Sequence, residues 1–415
     1  MNDRKIRVLF MQSQTYFGAD SQIHALLMRS FDRDQVEVHA ACSPPRPGRP
    51  SPAFQALVKI PGLNLIPTSF GPSIHARSRA GIIQELQTES VPAIRDLARL
   101  VRYLRRNHID IIHCTEKPRD AFLGYLLSRI AGCRCVIHLH VKAEGWINPL
   151  VRWAMGRADG LIGVSAFVRE SILAMGYRAD KTHAALNSLD LSTWNDSFDG
   201  QTIRQEFGIS PDAPLLAIIS RLFHWKGHTE LLRALAMVKN AYPQVMLMVV
   251  GEDDPRGAPG RGSFMSDLKI LARQLEIEQQ VIFTGFRKDI PQILAACDIF
   301  AMPSFEEPFG MVYLEAMAMK RPVVALDNGG AREVIEHEKS GLLSPPYDIE
   351  SLAANLNRLI DKPNLRRSMG EYGRQRVESY FTPARIANEI LDVYRNILGF
   401  SPDDARTFHH RAAAR

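Results

Sequence analysis

The feature that most constrains this sequence is an alternation of short β-branched runs with helical patterns along nearly its whole length. The first half contains the runs IRVLFM, VEVHAA, IDIIHC, CVIHLH and GLIGVS, and the second contains LLAIIS, VMLMVVG, QVIFTG, DIFAMP and PVVAL. Helical patterns such as AIRDLARLVRYLRRN separate them. Strands that alternate with helices form parallel sheets covered by helices. The sequence therefore predicts an α/β fold built from doubly wound parallel sheets.

The length of 415 residues exceeds what one hydrophobic core usually covers. A polar, turn-rich stretch, NSLDLSTWNDSFDG, separates the two series of strands and is typical of a linker. Ligands bind beyond the carboxyl ends of parallel strands, so we expect the chemistry in the loops there. The predicted organisation is a first domain over 1–187, a linker over 188–200, a second domain over 201–380, a helix over 381–398 that packs back toward the first domain, and a disordered tail over 399–415.

Charge is distributed unevenly along the chain. The part through Asp190 has 25 Lys and Arg against 16 Asp and Glu, whereas the remainder has 26 against 29. A basic first half suits an anionic partner, although solubility alone also explains it. Nucleic acid is not expected, because no basic run is interleaved with aromatic residues and no zinc-finger spacing occurs.

Apolar runs of the roughly 20 residues that a membrane helix needs do not occur in the sequence. The N-terminus MNDRKIRVLFMQSQ has a short apolar run and no small-residue cleavage site, so it does not resemble a signal peptide. The five cysteines are an odd number in a large chain, which favours a reducing compartment. We therefore expect a cytoplasmic protein.

An arginine-rich helical pattern covers Ile94 to His108. One face carries leucines and a valine, and the other carries arginines at 95, 99, 102, 105 and 106. Such a pattern is usual for a helix packed on a core. It also suits a peripheral contact with the inner membrane face, which would fit a lipid-linked acceptor.

Two acids lie close together in the segment PSFEEPFGMVYLEAMAMKRPVVAL, which begins at Pro303. Glu307 and Glu315 would lie about 80° apart on one helix, so they would not share a face. The pattern makes better sense if Glu307 is in a loop and the helix begins near Gly310, with Glu315 in its second turn. The free N–H groups of a helix start bind phosphate, and the acids suit sugar hydroxyls.

This segment resembles the Glu-x7-Glu signature of the retaining nucleotide-sugar glycosyltransferases of family 4, also called glycosyl transferases group 1. The motifs ISRLFHWKGH, VVGEDD, VIFTGFRKDIP and NGGAREVIEHEKSGLLSPP accompany it in the family's order, over most of residues 215–346. The first half matches more loosely, through YFGAD, IDIIHC, VIHLHV, ADGLIGVSAFVRE and LNSLD. The resemblance implies a GT-B fold, in which two Rossmann-like domains face each other across a cleft. The first would bind the acceptor and the second the nucleotide sugar.

The resemblance implies roles for four charged residues of the second domain. Arg221 and Lys226 would donate to the diphosphate, and a planar guanidinium and a point charge both suit that group. Glu307 would hold donor-sugar hydroxyls and Glu315 the ribose hydroxyls. The alternative for all four is a solvated surface position.

The remaining implied donor contacts involve backbone and smaller side chains. Two loops depart from the family pattern, since Phe17 replaces a glycine in YFGAD and Ser188 replaces one in LNSLD. The expected donor-binding residues beyond the four charged ones are Gly18, Gly251, Phe286, Arg287, Phe309, Gly310 and Met311.

The stretch CRCVIHLHV raises the possibility of a metal site, with Cys133 and Cys135 near His138 and His140. Side chains alternate along a strand, so the cysteines and histidines would point to opposite faces. A tetrahedral site cannot be built across a strand, so we expect no zinc site from these four residues. The resemblance places His140 near the donor sugar and the acceptor hydroxyl, whereas His138 and His113 are expected to be structural.

The resemblance thus implies a metal-independent retaining glycosyltransferase without a cofactor, with His140, Arg221, Lys226 and Glu307 as its catalytic residues. The expected partners are a nucleotide-sugar donor and a carbohydrate, lipid-linked or small-molecule acceptor, as in polysaccharide, glycolipid or glycoside synthesis. A nucleotide-sugar epimerase or a phosphorylase of the same fold is the enzymatic alternative. A nucleotide-sugar binding module without activity is the third class.

Overall fold

The computed structural model describes residues 4–72, 79–145, 147–195, 197–253 and 263–400. From residue 401 onward the predicted disordered tail lies outside the described residues. The chain divides into two compact units. The first unit holds the chain through Ser188 together with the helix Pro383–Leu398, and the second unit holds Leu189–Thr382. Of the predicted linker over 188–200, Ser188 is counted with the first unit and residues 189–200 with the second.

The first unit is built on a seven-stranded parallel sheet with the order β3-β2-β1-β4-β5-β6-β7. Its strands are β1 Ile6–Gln12, β2 Val36–Cys42, β3 Asn64–Pro67, β4 Ile111–Thr115, β5 Arg134–Leu139, β6 Gly160–Gly163 and β7 Thr182–Ala184. Its helices are α1 Ala19–Ser30, α2 Pro52–Val58, α3 Arg79–Arg106, α4 Pro118–Ala131, α5 Pro149–Met155 and α6 Ala166–Ala174, with Pro383–Leu398 from the end of the chain. The central strands are buried nearly throughout, as expected when helices cover both faces of a parallel sheet.

The second unit has a six-stranded parallel sheet with the order β10-β9-β8-β11-β12-β13. Its strands are β8 Leu215–Ile219, β9 Met246–Val250, β10 Val281–Gly285, β11 Ile299–Ala301, β12 Val323–Leu326 and β13 Gly341–Ser344. Its helices are α7 Gln201–Glu206, α8 His228–Ala241, α9 Phe264–Gln274, α10 Ile290–Ala296, α11 Met311–Ala318, α12 Ala331–Val334, α13 Ile349–Asp361 and α14 Pro363–Tyr380. The final helix of the first unit, Pro383–Leu398, is α15.

The predicted fold class is confirmed. Each of the ten strand patterns found in the sequence forms a strand, and they fall into two parallel sheets. Three strands were not predicted, namely β3, β7 and β13, and all three lie at the edges of their sheets. Strands β3 and β7 have at most one buried residue each, which leaves little hydrophobic pattern to detect.

Helix α3 carries the arginine-rich pattern. Leu100 and Leu104 are buried within the first unit, whereas Arg99, Arg102 and Arg105 are exposed. The apolar face therefore packs on the protein, as the more usual of the two interpretations requires. Among the residues that the structure describes, no helix combines the length and the apolarity that a membrane crossing requires.

Candidate functional site

The predicted donor residues follow four strands that are neighbours in the second sheet. Arg287 follows β10, Gly251 follows β9, Arg221 and Lys226 follow β8, and Glu307 follows β11. The sheet order is β10-β9-β8-β11, and all these pairs are parallel, so the four loops emerge at one edge. The topology thus brings the predicted residues to the edge where doubly wound sheets bind ligands.

Lys226 and Glu307 form an ion pair at this edge. Lys226 Nζ lies 2.6 Å from Glu307 Oε2, and both side chains are largely shielded from solvent, with 15% and 9% exposed. The same ammonium lies 4.0 Å from the centroid of the Trp225 ring. Sequence reasoning gave Lys226 and Glu307 separate roles and did not anticipate their contact. Arg221 lies just beyond β8 with an exposed side chain.

The loop that carries Glu307 is fixed by its backbone. Phe305 N–H donates to Trp225 O at 2.7 Å, and Gly330 N–H donates to Glu307 O at 2.7 Å. A Cβ at Gly329 would lie 2.7–2.8 Å from the backbone of Glu307, so only glycine fits. Gly329 and Gly330 therefore support the site, although neither is among the site residues predicted from the sequence. The Gly-Gly pair in NGGAREV was the available signal.

Helix α11 begins at Met311, and Gly310 is its N-cap in the left-handed region with φ 91°. A Cβ at Gly310 would lie 2.3 Å from the Tyr313 ring, so glycine is required by both conformation and space. Tyr313 Oη donates to Met302 O at 2.9 Å and ties the helix to the end of β11. The predicted helix start near Gly310 is thus found, with Glu315 in the second turn.

The other predicted residues of this helix start differ in exposure. Glu315 is partly buried, and desolvation raises the pKa of its carboxyl to about 7. Phe309 is buried, and its ring lies against Phe381, so its backbone rather than its side chain is available to a ligand. Met311 is partly buried at the first helical position.

Gly251 permits a close approach between two strand-end loops. Its φ is 143°, and a Cβ there would lie 1.9 Å from Ser220 O. No other residue fits this position without moving the loop that leads to Arg221. The packing explains why the motif VVGEDD has a glycine at the end of β9.

Phe286 and Arg287, the predicted neighbours of the base, occupy different environments. Phe286 is exposed, with 62% of its surface accessible. Arg287 makes paired hydrogen bonds to Glu206, at 2.6 and 2.9 Å, and to Asp289, at 2.9 and 2.6 Å. The hydrogen bonds to Glu206, and to a lesser extent those to Asp289, raise the pKa of Arg287. The guanidinium is therefore engaged by carboxylates, whereas the Phe286 ring is accessible.

In the first unit, Gly18 is the N-cap of α1 and His140 follows β5. Gly18 has a φ of −84°, so its glycine is explained by space rather than by conformation, since a Cβ would lie 2.9 Å from the Tyr16 ring.

The backbone N–H of His140 donates to Glu116 Oε2 at 3.3 Å, and the Nε2 atom of the His140 ring lies 3.3 Å from His24 Nε2. Desolvation lowers the pKa of His140 well below its usual value, and burial raises the pKa of Glu116.

The histidines and cysteines of the CRCVIHLHV stretch lie on opposite faces of the sheet, as strand alternation predicts. Cys135 contacts Cys114, which lies against α4 at Gly124. His138 instead faces His113, whose Nδ1 lies 2.6 Å from Tyr394 Oη on α15. The Cys135 thiol and the His138 imidazole therefore point away from each other and cannot bind one metal ion together.

Comparisons with known proteins agree with this fold and strand-end geometry. The model of Glycosyl transferases group 1 matches residues 199–376, and that of Glycosyltransferase Family 4 matches residues 25–193. Both describe enzymes that transfer sugars, and the chain belongs to glycosyltransferase family 4. It is a GT-B glycosyltransferase that uses nucleotide-sugar donors.

Particular relatives show how broad this family is. The chain is 30% identical over 273 residues to alpha-maltose-1-phosphate synthase of Mycolicibacterium smegmatis, covering 62% of this chain and 67% of that protein. It is 29% identical over 314 residues to the GDP-mannose-dependent alpha-(1-6)-phosphatidylinositol monomannoside mannosyltransferase of the same organism, covering 72% and 80%. The structure of Anabaena HepE in complex with UDP has a TM-score of 0.74 and 25% identity, covering 93% of this chain and 99% of that one.

Proposed function

We propose that this enzyme transfers a sugar with retention of anomeric configuration from a nucleotide-diphosphate sugar to an acceptor hydroxyl. Arg221, Lys226 and the amino terminus of α11 would stabilise the leaving diphosphate without a metal ion. The observation that carries this proposal is the 2.6 Å contact of Lys226 with Glu307 in the loop that precedes α11. This contact brings together a cation and a carboxylate that can accept hydrogen bonds from sugar hydroxyls, next to the start of a helix.

The charge that develops on the diphosphate is the main difference between ground state and transition state. A lysine, an arginine and free helix N–H groups are fixed donors for such charge, and removing one typically costs about 10²–10³ in rate. Lys226 has three N–H donors. It can therefore keep one bond to Glu307 and give another to a phosphate oxygen.

Retention requires either two displacements or a front-face attack. A nucleophilic carboxylate would need to be free to reach the anomeric carbon, but Glu307 is held by Lys226. In the front-face route the acceptor oxygen bonds to the anomeric carbon as the bond from that carbon to the phosphate oxygen breaks. The acceptor proton passes to the leaving diphosphate.

His140 would assist on the acceptor side. Its burial keeps the ring neutral, and a neutral imidazole offers one donor and one acceptor. We assign it to polarise or orient the sugar and acceptor hydroxyls, with its backbone N–H fixed by Glu116.

Uracil is the first base to test, because HepE was solved in complex with UDP and with UDP-glucose. Guanine is the second, because one relative is named for GDP-mannose. We propose a carbohydrate, lipid-linked or small-molecule acceptor, since the relatives' names cover both soluble and lipid products. The five buried free cysteines are in keeping with a cytoplasmic location. A contact with the inner membrane face would use the arginines of α3.

Proton NMR of donor turnover tests the stereochemistry. With UDP-glucose and no acceptor, slow hydrolysis should release glucose whose first-formed anomer matches that of the donor. Inversion would contradict the proposal. A changed sugar configuration without release would indicate an epimerase, and turnover only with phosphate would indicate a phosphorylase.

Addition of Mg²⁺ or Mn²⁺ tests metal independence. These hard cations bind phosphate oxygens, and a diphosphate clamp built of side chains should gain nothing from them. We expect equal rates with and without either ion. A large increase would show that Lys226 and Arg221 do not carry the charge alone.

A further inference from the structure

Histidines from three elements of the first unit converge in its core. His24 lies on α1, His113 on β4 and His138 on β5, and all three are buried. One ring nitrogen of each lies within 4.8 Å of those of the other two. The proposed transfer reaction uses none of these three residues, and no short sequence spacing links them.

The hydrogen bonds of this histidine cluster leave buried nitrogens unused. His113 Nδ1 lies 2.6 Å from Tyr394 Oη, and His113 Nε2 lies 3.2 Å from His138 Nδ1. Within the described part of the chain, His24 Nδ1 and His138 Nε2 have no hydrogen-bond partner. A buried polar atom without a partner usually costs free energy, so an unpaired nitrogen in a cluster of imidazoles points to a ligand.

The spacing of the nitrogens suits a tetrahedral metal ion. Bonds of about 2.0–2.1 Å from zinc to nitrogen place two ligand atoms about 3.3–3.4 Å apart. The distance between His113 Nε2 and His138 Nδ1 is 3.2 Å. His24 supplies the third imidazole, since one of its ring nitrogens lies within 4.8 Å of a ring nitrogen of each of the other two histidines.

Tyr394 and Asp20 complete the surroundings. A histidine that binds a metal almost always has a partner on its other ring nitrogen, and Tyr394 Oη occupies that place for His113. Asp20, one turn before His24 on α1, provides a nearby negative charge that acts on His24. We propose that His24, His113 and His138 bind a divalent transition-metal ion, with Zn²⁺ as the expected occupant.

The donor set determines the class of metal. Imidazole nitrogens suit Zn²⁺, Cu²⁺ and Ni²⁺, whereas Mg²⁺ and Ca²⁺ prefer oxygen. Three histidines leave one position for water, as in known three-histidine zinc sites. The ion would join α1 to β4 and β5 and, through Tyr394, to α15, so its role is to stabilise the first unit.

Metal analysis of the full chain tests this proposal. The protein carries no affinity tag, and its His409–His410 pair is replaced by alanine to remove an unrelated metal-binding sequence. After metal removal and dialysis against limiting Zn²⁺, we expect about one ion per chain and a raised Tm. Replacement with Co²⁺ should give the intense visible absorption of a four-coordinate ion.

Variants locate the site. His113→Phe keeps an aromatic ring beside Phe10 and should lose the ion, whereas the matched variant His39→Phe removes another buried histidine that contacts a tyrosine and should retain it. Tyr394→Phe should weaken Zn²⁺ binding by roughly 10–100-fold. If His113→Phe misfolds, nitrogen NMR of the wild-type imidazoles must show shifts at His24, His113 and His138 on Zn²⁺ addition. Absence of stoichiometric Zn²⁺ in the wild type, or an equal amount in His113→Phe, would overturn the proposal.

Discussion

The strand-end loops of the two units show two ways of building a polar site. In the second unit, Lys226 and Glu307 satisfy each other, and glycines fix the loops around them. In the first unit, His140 and its neighbours are imidazoles and acids buried together, several of them with altered pKa values. The second unit therefore presents a paired lysine and glutamate at its strand ends, whereas in the first unit burial lowers the pKa of His140 and raises the pKa of Glu116. We therefore expect donor binding to respond mainly to substitutions in the second unit, and acceptor chemistry mainly to substitutions in the first.

Loss of the Lys226 ammonium should have the largest effect. We expect Lys226→Ala to lower kcat at saturating donor by about three orders of magnitude, because the diphosphate loses a fixed positive charge. The matched control is Lys339→Ala, which breaks an exposed Lys–Glu pair in the same unit and should leave kcat within about twofold. Unchanged turnover in Lys226→Ala, measured by nucleotide release, would remove the catalytic role.

Gly251→Ala should be the next largest change. The added Cβ would lie 1.9 Å from Ser220 O at a φ of 143°, so we expect a loss of about 3 kcal/mol in the free energy of unfolding. Gly208→Ala provides the control, since its φ is 64° but nothing lies within 4 Å. That variant should lose only about 1 kcal/mol. Equal losses in urea denaturation would show that crowding at Gly251 is unimportant.

Glu315 links stability and nucleotide binding through pH. Its pKa is about 7 in the folded protein and near 4.5 when unfolded, so the folded state binds the proton more tightly and loses stability as pH rises from 4.5 to 7. Glu315→Gln should therefore be more stable than wild type at pH 8, by about 2–3 kcal/mol, and similar at pH 4.5. A pH-independent difference between the two proteins would contradict this pKa.

The same carboxylate should make nucleotide affinity depend on pH. The family resemblance implies that Glu315 accepts hydrogen bonds from the ribose hydroxyls, and the ionised carboxylate is the better acceptor, so we expect wild-type affinity to fall as pH drops below about 7. Glu315→Gln should bind more weakly and show a flatter pH profile. Calorimetry at pH 5.5 and 8 measures both.

Phe286 and Arg287 should show the smallest and most separable effects. Phe286→Ala should weaken nucleotide binding by about tenfold through lost stacking while leaving Tm unchanged. Arg287→Ala should instead lower stability by about 1 kcal/mol, because Arg287 pairs with the exposed Glu206 and the partly buried Asp289. The reverse pattern would mean that Arg287 rather than Phe286 contacts the base.

Structural features that depend on residues close together in the sequence could be predicted from local patterns. Central strands were found because their apolar residues are buried throughout, as in β4 and β11. The start of α11 was found because Gly310 and the spacing of the two glutamates restrict where the helix can begin. Edge strands such as Thr182–Ala184 carry too few buried positions for that signal.

Contacts between distant residues could not be read from the sequence. Lys226 and Glu307 are 81 residues apart, and His24 and His140 are 116 apart. Neither periodicity nor sequence spacing predicts such pairs, because the fold brings together residues from distant parts of the chain. The resemblance to family 4 supplied separate roles for Lys226, Glu307 and His140, whereas the contacts come from the fold.

The most direct test measures how much Lys226 contributes to binding the β-phosphate. Calorimetry compares the nucleoside diphosphate with the monophosphate of the same base, UDP and UMP first, in wild type and in Lys226→Ala. A charged hydrogen bond is worth about 1.5–3 kcal/mol, so the preference for the diphosphate should fall by about 10–100-fold in the variant. An equal preference in the two proteins would show that Lys226 does not hold the leaving group.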